Sequence, residues 1–462
     1  MKDVIIIGAG IAGLSAAFEL SKNNIDFQIL ELNDKVGGNI ETLNIDNCLV
    51  ETGPYTFSSN SLETLQLVRE LGIEDLLQEA NPLSKKRFVY LNDQLQQVPS
   101  GPVEFLKSDI LSKEAKWTLL EELLIKKEEK EESIEDFFVR RFGREVLKNL
   151  VQPFLNGIYA GDVKKLSVNA VFPKLKELEN KYKSVILGSI LSGGIGTSMK
   201  KMTLYSFTHG METLPLVLYE RLKNKTTLGI KNLEITRAKD FFVVNFKANN
   251  KIINYTANSI LIATPAFKVN DFSSIIPDEY LTDFSHLEYM PVATVAQKIE
   301  KSKLNRDLTG FGFLCEKEPH RKLLGTIWVS SIFPNRISSE YHLLTSYIGG
   351  AYYKKITEQM PDEISPLVAK ELSEIFKVDQ NLFETLHVKV HYNAIPQYNI
   401  GHIERVKEIE SLMDTNYGLY FTGNYLYGIS INDTIKTSKL IVEKINKFLN
   451  KVVKKQEALI VK

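Results

Sequence analysis

Cysteine is nearly absent: only Cys48 and Cys315 occur in 462 residues, far apart and in no CxxC pattern. That excludes a disulfide framework or a cysteine-rich metal site and suits a reducing compartment. Net charge is absent as well, Lys+Arg and Asp+Glu both totalling 57, so overall charge gives no footing for nucleic-acid binding. No run reaches the roughly 18–20 apolar residues of a spanning helix. The longest uncharged segment, residues 184–199, is broken by Ser and Gly. His209, His391 and His402 are not spaced as metal ligands and read as structural or surface histidines. Nor does the N-terminus read as a secretory signal, because its apolar run, residues 4–7, is short and enters glycines directly. The expected location is cytoplasmic, with contact on the inner membrane face left open.

What is present is an ordinary globular composition, 44% hydrophobic and 25% charged, long enough for about three domains. Residues 4–7 read as a buried strand, 11–22 as a helix and 26–32 as a second strand, the βαβ opening of a doubly wound α/β domain. "SILIATPA" reads as a further buried strand, and residues 418–449 read strand, loop, long helix. A dinucleotide domain in discontinuous pieces follows. Between residues 103 and 204 the periodicity is helical, with the mixed run "KKEEKEE" expected as a solvated face or loop. Residues 269–402 are rich in Ile, Tyr, Val and Thr, as in a sheet-based domain.

Gly8, Gly10 and Gly13 form GxGxxG between strand and helix. The first allows the tight turn, the second lets backbone approach a pyrophosphate, and the third lets the helix pack on the strand. Ala9, Ile11 and Ala12 complete the turn, whose free N–H groups and positive helix end suit phosphates. Glu31, followed by Leu32, stands eighteen residues after Gly13, where a carboxylate can accept from ribose hydroxyls. The fingerprint alone separates neither NAD nor FAD. Three further stretches favour FAD: Gly37–Gly38, then Gly53, Pro54, Tyr55 and Thr56, and finally Gly423, Gly428, Ile429 and Ser430 near the C-terminus. A nicotinamide has no need of these remote pieces, whereas a large embedded isoalloxazine does.

With "GGNIET", "PFLNGIYAGDVKKLS", "LLGTIWVSSIFPNR", "AIPQYNIGH" and "GNYLYGIS" in one order, the sequence resembles the protoporphyrinogen oxidase family of amine-oxidase-like flavoproteins. The resemblance implies an α/β fold: a discontinuous Rossmann-like FAD domain (1–84, 206–268, 408–450), a substrate domain (85–102, 269–407), a helical insertion that associates with membranes (103–205), and a basic tail (451–462). It implies non-covalent FAD, a porphyrinogen substrate and O2, with a homodimer left open. The implied reaction is six-electron oxidation of protoporphyrinogen IX to protoporphyrin IX, releasing hydrogen peroxide, in haem synthesis. Alternatives on this fold are coproporphyrinogen III oxidation, an amine oxidase, a carotenoid desaturase, or a non-catalytic binding protein. By the resemblance Arg87 pairs with a substrate propionate, and Leu324 and Leu344 sandwich the macrocycle. Because flavin N5 accepts the hydride, no catalytic side chain is expected. Tyr159 and Asp162 are motif residues, and Lys183 stands where the family has a small residue.

Overall fold

The protein is described by a computed structural model covering residues 1–60, 62–99, 104, 107–192, 202–415 and 418–460, the last six as backbone alone. The expected boundary at 102–103, residues 193–201 of the helical region and the last two residues of the tail lie outside the described residues.

The aliphatic run at the N-terminus makes the strand Lys2–Ile7, with residues 4–7 fully buried. A strand so apolar on both faces belongs in the middle of a covered parallel sheet. It pairs in parallel with Phe27–Leu30 on one side and with the C-terminal half of Lys251–Ile262 on the other. Thr226–Thr227 extends the sheet beyond Phe27–Leu30, and Leu419–Phe421 lies beside the end of Lys251–Ile262. Three distant parts of the chain thus complete one parallel core. The N-terminal half of Lys251–Ile262 leaves that core to pair antiparallel with Phe242–Ala248, which pairs with Lys231–Arg237. Helix Ile431–Ile460 returns over helix Ile11–Lys22, where Ser438 Oγ donates to Ala12 O at 3.0 Å.

Val269, Phe272, Ile276, Phe284 and Leu287 pack into the core of this first sheet, together with Ile409 and Met413 of helix His402–Thr415. The passage to the second sheet therefore falls at about Tyr289, not at 269, because these apolar side chains close the dinucleotide domain.

The second sheet runs Glu384–Pro396, Tyr289–Glu300, Tyr341–Gly349, Leu323–Trp328, Gly312–Cys315, Phe88–Leu91, Gln94–Gln97. Its back is covered by Ile364, Val368 and Leu372 of helix Pro361–Phe376. Its front faces the first domain through the strap that follows hairpin Thr42–Ile45 and Cys48–Glu51.

The helical region is built around Phe137, Leu155, Leu166 and Val168. Beneath it Arg140, Arg141 and Lys176 meet Glu122, Glu132 and Glu179 in a buried ionic cluster. Glu132 ends the "KKEEKEE" run and is 8% exposed. The expectation of a solvated segment holds for its middle but not its end, because a carboxylate buried beside two cations is stabilised there. Lys183 sits at φ +60 as the left-handed cap of helix Pro173–Tyr182. Glycine suits that conformation best, so a lysine there is held at some cost in backbone strain.

Candidate active site

The glycine turn carries its three roles in its geometry. A Cβ on Gly13 would lie 2.0 Å from Gly8 O, so only glycine lets this helix approach this strand. Gly8 has φ +107, and a Cβ there would meet Ala263 O at 3.0 Å. Gly10 differs: an added Cβ would meet only Gly38 Cα, at 4.0 Å. Its glycine is not demanded by protein packing. The space beside it is a groove between the turn and Gly37–Gly38, held by a hydrogen bond from Gly37 N to Ala9 O at 2.9 Å. Helix Ile11–Lys22 begins there with no side-chain cap and no acidic residue in its first turn. Its N–H groups and dipole are left for an anion.

Glu31 is 8% exposed and accepts from Ala9 N at 2.7 Å and from Asn33 N and Nδ2 at 2.9 and 2.7 Å. These use three of a carboxylate's roughly four acceptor sites, leaving room for a ribose hydroxyl. Leu32 beside it is exposed. Thr264, next to Gly8, has a buried hydroxyl with no partner among the described residues. These features fit a dinucleotide: a groove a side chain would fill, an uncapped helix end, and a buried carboxylate with an acceptor site to spare.

The other expected cofactor residues split into two groups. Gly53 runs so close to Asn39 O, 2.0 Å from an ideal Cβ, that the strap needs glycine. Thr52 O accepts from Thr294 Oγ1 and from His391 Nε2, the latter at 2.7 Å. Pro54 and Thr56 are half-buried. Tyr55 is turned into the domain junction, its hydroxyl bonded to Thr345 Oγ1, so its side chain is a brace between domains. At the far end Gly423, Gly428, Ile429 and Ser430 follow strand Leu419–Phe421, on the edge of the sheet that carries the glycine turn. Ser430 caps the long helix, accepting from Asp433 N at 3.1 Å. A Cβ on Gly428 would strike the Asp433 carboxylate at 2.4 Å.

The motif segments at the domain junction assemble around Tyr398. Its hydroxyl donates to Asn424 O and accepts from Gly428 N, both at 2.7 Å. Gln397 Nε2 donates to Tyr159 O at 2.8 Å, and an added Cβ on Gly161 would collide with Gln397. Asp162 caps the next turn through Lys164 N and accepts from Tyr352. His402 stacks on Tyr398, and burial pushes its imidazole down to about 4, so it is neutral. His209 is exposed. Tyr398 and Gln397 lie within "AIPQYNIGH", but their partners are far away in the chain, so the sequence alone assigns them no part.

Arg87 precedes strand Phe88–Leu91 and is half-buried. Its guanidinium lies 5.3 Å from the Phe311 ring centroid, and among the described residues no carboxylate pairs with it. Burial without a counter-charge pulls its pKa down, so an anion there would restore what desolvation removes.

The two leucines are not brought together. Leu324 packs at the front of the second sheet with Ala160, Val292 and Tyr347. Leu344 is fully buried at the back, among Trp328, Phe313 and Val368. An irregular step between Leu323 and Gly325 places Leu324 forward, while strand alternation sends Leu344 backward and Leu343 forward. A sandwich of Leu324 with Leu344 is therefore corrected by the register. The front carries Ile327, Leu343 and Tyr347 beside Leu324.

Residues 11–446 match the flavin containing amine oxidoreductase family. The chain belongs to that family. It is an oxidoreductase with FAD as its cofactor. It is 28% identical to coproporphyrinogen III oxidase of Bacillus subtilis, over 96% of this chain and 97% of that one. It is 30% identical to protoporphyrinogen oxidase 1 of Spinacia oleracea, covering 94% and 82%. In fold it is similar to putrescine oxidase bound to putrescine, with TM-score 0.71 at 15% identity, covering 96% of this chain and 99% of the other.

Proposed function

We propose that the protein oxidises protoporphyrinogen IX to protoporphyrin IX. Six hydrogens leave the substrate in three two-electron rounds, and three O2 are reduced to three hydrogen peroxide. The observation that carries this reading is Arg87, a desolvated guanidinium that has no carboxylate partner among the described residues and lies over Phe311, which packs with Ile327, Ile332 and Phe333. A porphyrinogen has the matching shape, a largely apolar macrocycle with carboxylates along one side. A guanidinium binds a carboxylate in a fork, which fixes the rotation of the ring about its own axis. Leu324 contributes apolar contact at the front of the sheet.

FAD, when bound, supplies the two-electron acceptor for hydride from a meso carbon. The chain's part is to bind, orient and exclude water. No side chain need act as a base, because the meso hydrogen beside electron-rich pyrroles is already activated. The phenols at the junction agree with that: burial pushes Tyr55, Tyr159, Tyr347 and Tyr398 above the ordinary phenol range. They stay protonated at neutral pH. A second reading, coproporphyrinogen III as substrate, is favoured by the names of the Bacillus subtilis relative and of the Staphylococcus aureus relative, 26% identical over 96% of this chain. Parallel assays with both porphyrinogens, following porphyrin fluorescence, decide between them.

Peripheral contact with a membrane completes the reading. Trp117, Leu120 and Leu124 are 70%, 62% and 84% exposed, and Ile190 and Leu191 are 70% and 62% exposed. Glu122 holds the two elements together by accepting from Ser184 and from Val185 N. An apolar patch of this kind suits the interface of a bilayer, and no helix among the described residues is long and apolar enough to cross one.

A further inference from the structure

The loop between Gly423 and Gly428 has little support of its own. Its one internal backbone bond, Leu426 N to Gly423 O, is long at 3.5 Å. Both glycines are required, since added Cβ atoms would strike the Tyr425 ring at 2.6 Å and the Asp433 carboxylate at 2.4 Å. Shape is therefore imposed from outside, and Tyr398 grips the loop at two points. Its hydroxyl spans Asn424 O and Gly428 N at 2.7 Å each. A backbone N–H can only donate, so the phenol hydrogen points at Asn424 O. Tyr398 is itself held from the other side. Its carbonyl accepts from Ser167 N at 2.8 Å, its ring meets Tyr159 edge-on at 5.8 Å, and His402 stacks on it at 3.8 Å.

We propose that Tyr398 is a positioning residue for the cofactor: its hydroxyl holds the 424–428 loop in the form that receives FAD and ties that form to the helical region through Ser167 and Tyr159. This rests on FAD as cofactor and stands whichever porphyrinogen is oxidised. The loop joins strand Leu419–Phe421 to helix Ile431–Ile460, and that helix packs on the first helix through Ser438 and Ala12. A shift of the loop thus moves the start of the helix that packs against the glycine-turn helix.

Tyr398→Phe keeps the ring, its stacking on His402 and its backbone bond to Ser167, and removes both hydroxyl bonds. The test compares full-length wild type and variant, with FAD and stripped of it. Expected are an unchanged melting temperature of the apoprotein, a rise of about tenfold in the FAD dissociation constant, the scale of one or two lost hydrogen bonds, and altered visible bands of the bound flavin. A variant whose apoprotein melts lower or fails to fold, or whose FAD affinity and flavin bands match wild type, overturns the proposal and leaves Tyr398 a packing residue.

Discussion

Glu51 and Arg336 form an ion pair at 3.1 Å with both side chains 1% exposed. Arg336 also donates to Ser206 Oγ and Phe207 O, at 2.8 and 3.0 Å. The pair binds the end of strand Cys48–Glu51 to the "FPNR" segment on the side of the second sheet that faces the first domain. Burial pushes the Glu51 carboxyl up, and Arg336 pulls it back. Removing Arg336 leaves a buried, uncompensated carboxylate, so Arg336→Ala should cost about 3–5 kcal/mol of stability at neutral pH. The sign with pH follows from the raised value. The folded variant holds a proton that the unfolded chain has released above its ordinary value of 4.5, so stability falls as pH rises from there through the folded value. Urea melts at pH 5 and pH 8 should show the smaller loss at pH 5. Equal losses would place the cost in packing instead.

Gly10 and Gly13 should fail in different ways. Gly13→Ala drives a methyl into Gly8 O and should destabilise or unfold the protein. Gly10→Val has room within the protein, with Gly38 Cα 4.0 Å from the new Cβ, but fills the groove beside the pyrophosphate. It should be folded and colourless. Circular dichroism and flavin absorbance of the two variants check the pair, and a yellow, active Gly10→Val would remove this turn from the cofactor site.

The contrast shows what was legible in the chain. The glycine turn, the strand before it and Glu31 are neighbours in sequence, so spacing alone reports their arrangement. The substrate face is different. Whether Leu324 or Leu344 looks forward depends on a one-residue irregularity at Leu323–Gly325, and a slip of one residue exchanges the faces. The resemblance named both leucines, but only the sheet register shows that they part. Glu132 reads as part of a solvated charge run and is buried because Arg140 and Lys176 reach it from two separate helices. Tyr398 lies within "AIPQYNIGH", yet its partners Asn424 and Gly428 are more than twenty residues away. Local periodicity carries no information on such contacts.

Arg87→Ala should lower kcat/KM by roughly tenfold to a hundredfold, the scale of one charge-assisted contact of about 1.5–3 kcal/mol. FAD content and thermal stability should barely change. Lys at this position should recover only part of the loss, since an ammonium lacks the fork. A porphyrinogen with esterified propionates should be indifferent to the substitution. Equal effects on acid and ester would make Arg87 structural.

The exposed patch should give partial, detergent-reversible flotation with liposomes. Trp117→Glu with Leu124→Glu should abolish it and leave flavin content and turnover of soluble substrate unchanged, because both side chains point away from the core. Flotation unaffected by the pair would move the lipid contact elsewhere.

The most direct measurement is anaerobically prepared protoporphyrinogen IX and coproporphyrinogen III, each mixed with the yellow holoprotein in air-saturated buffer, with porphyrin fluorescence and oxygen uptake recorded together. The account predicts three O2 consumed per porphyrin formed and faster turnover of protoporphyrinogen IX. Faster turnover of coproporphyrinogen III would reassign the substrate; no porphyrin above the uncatalysed rate from either would contradict porphyrinogen oxidation itself.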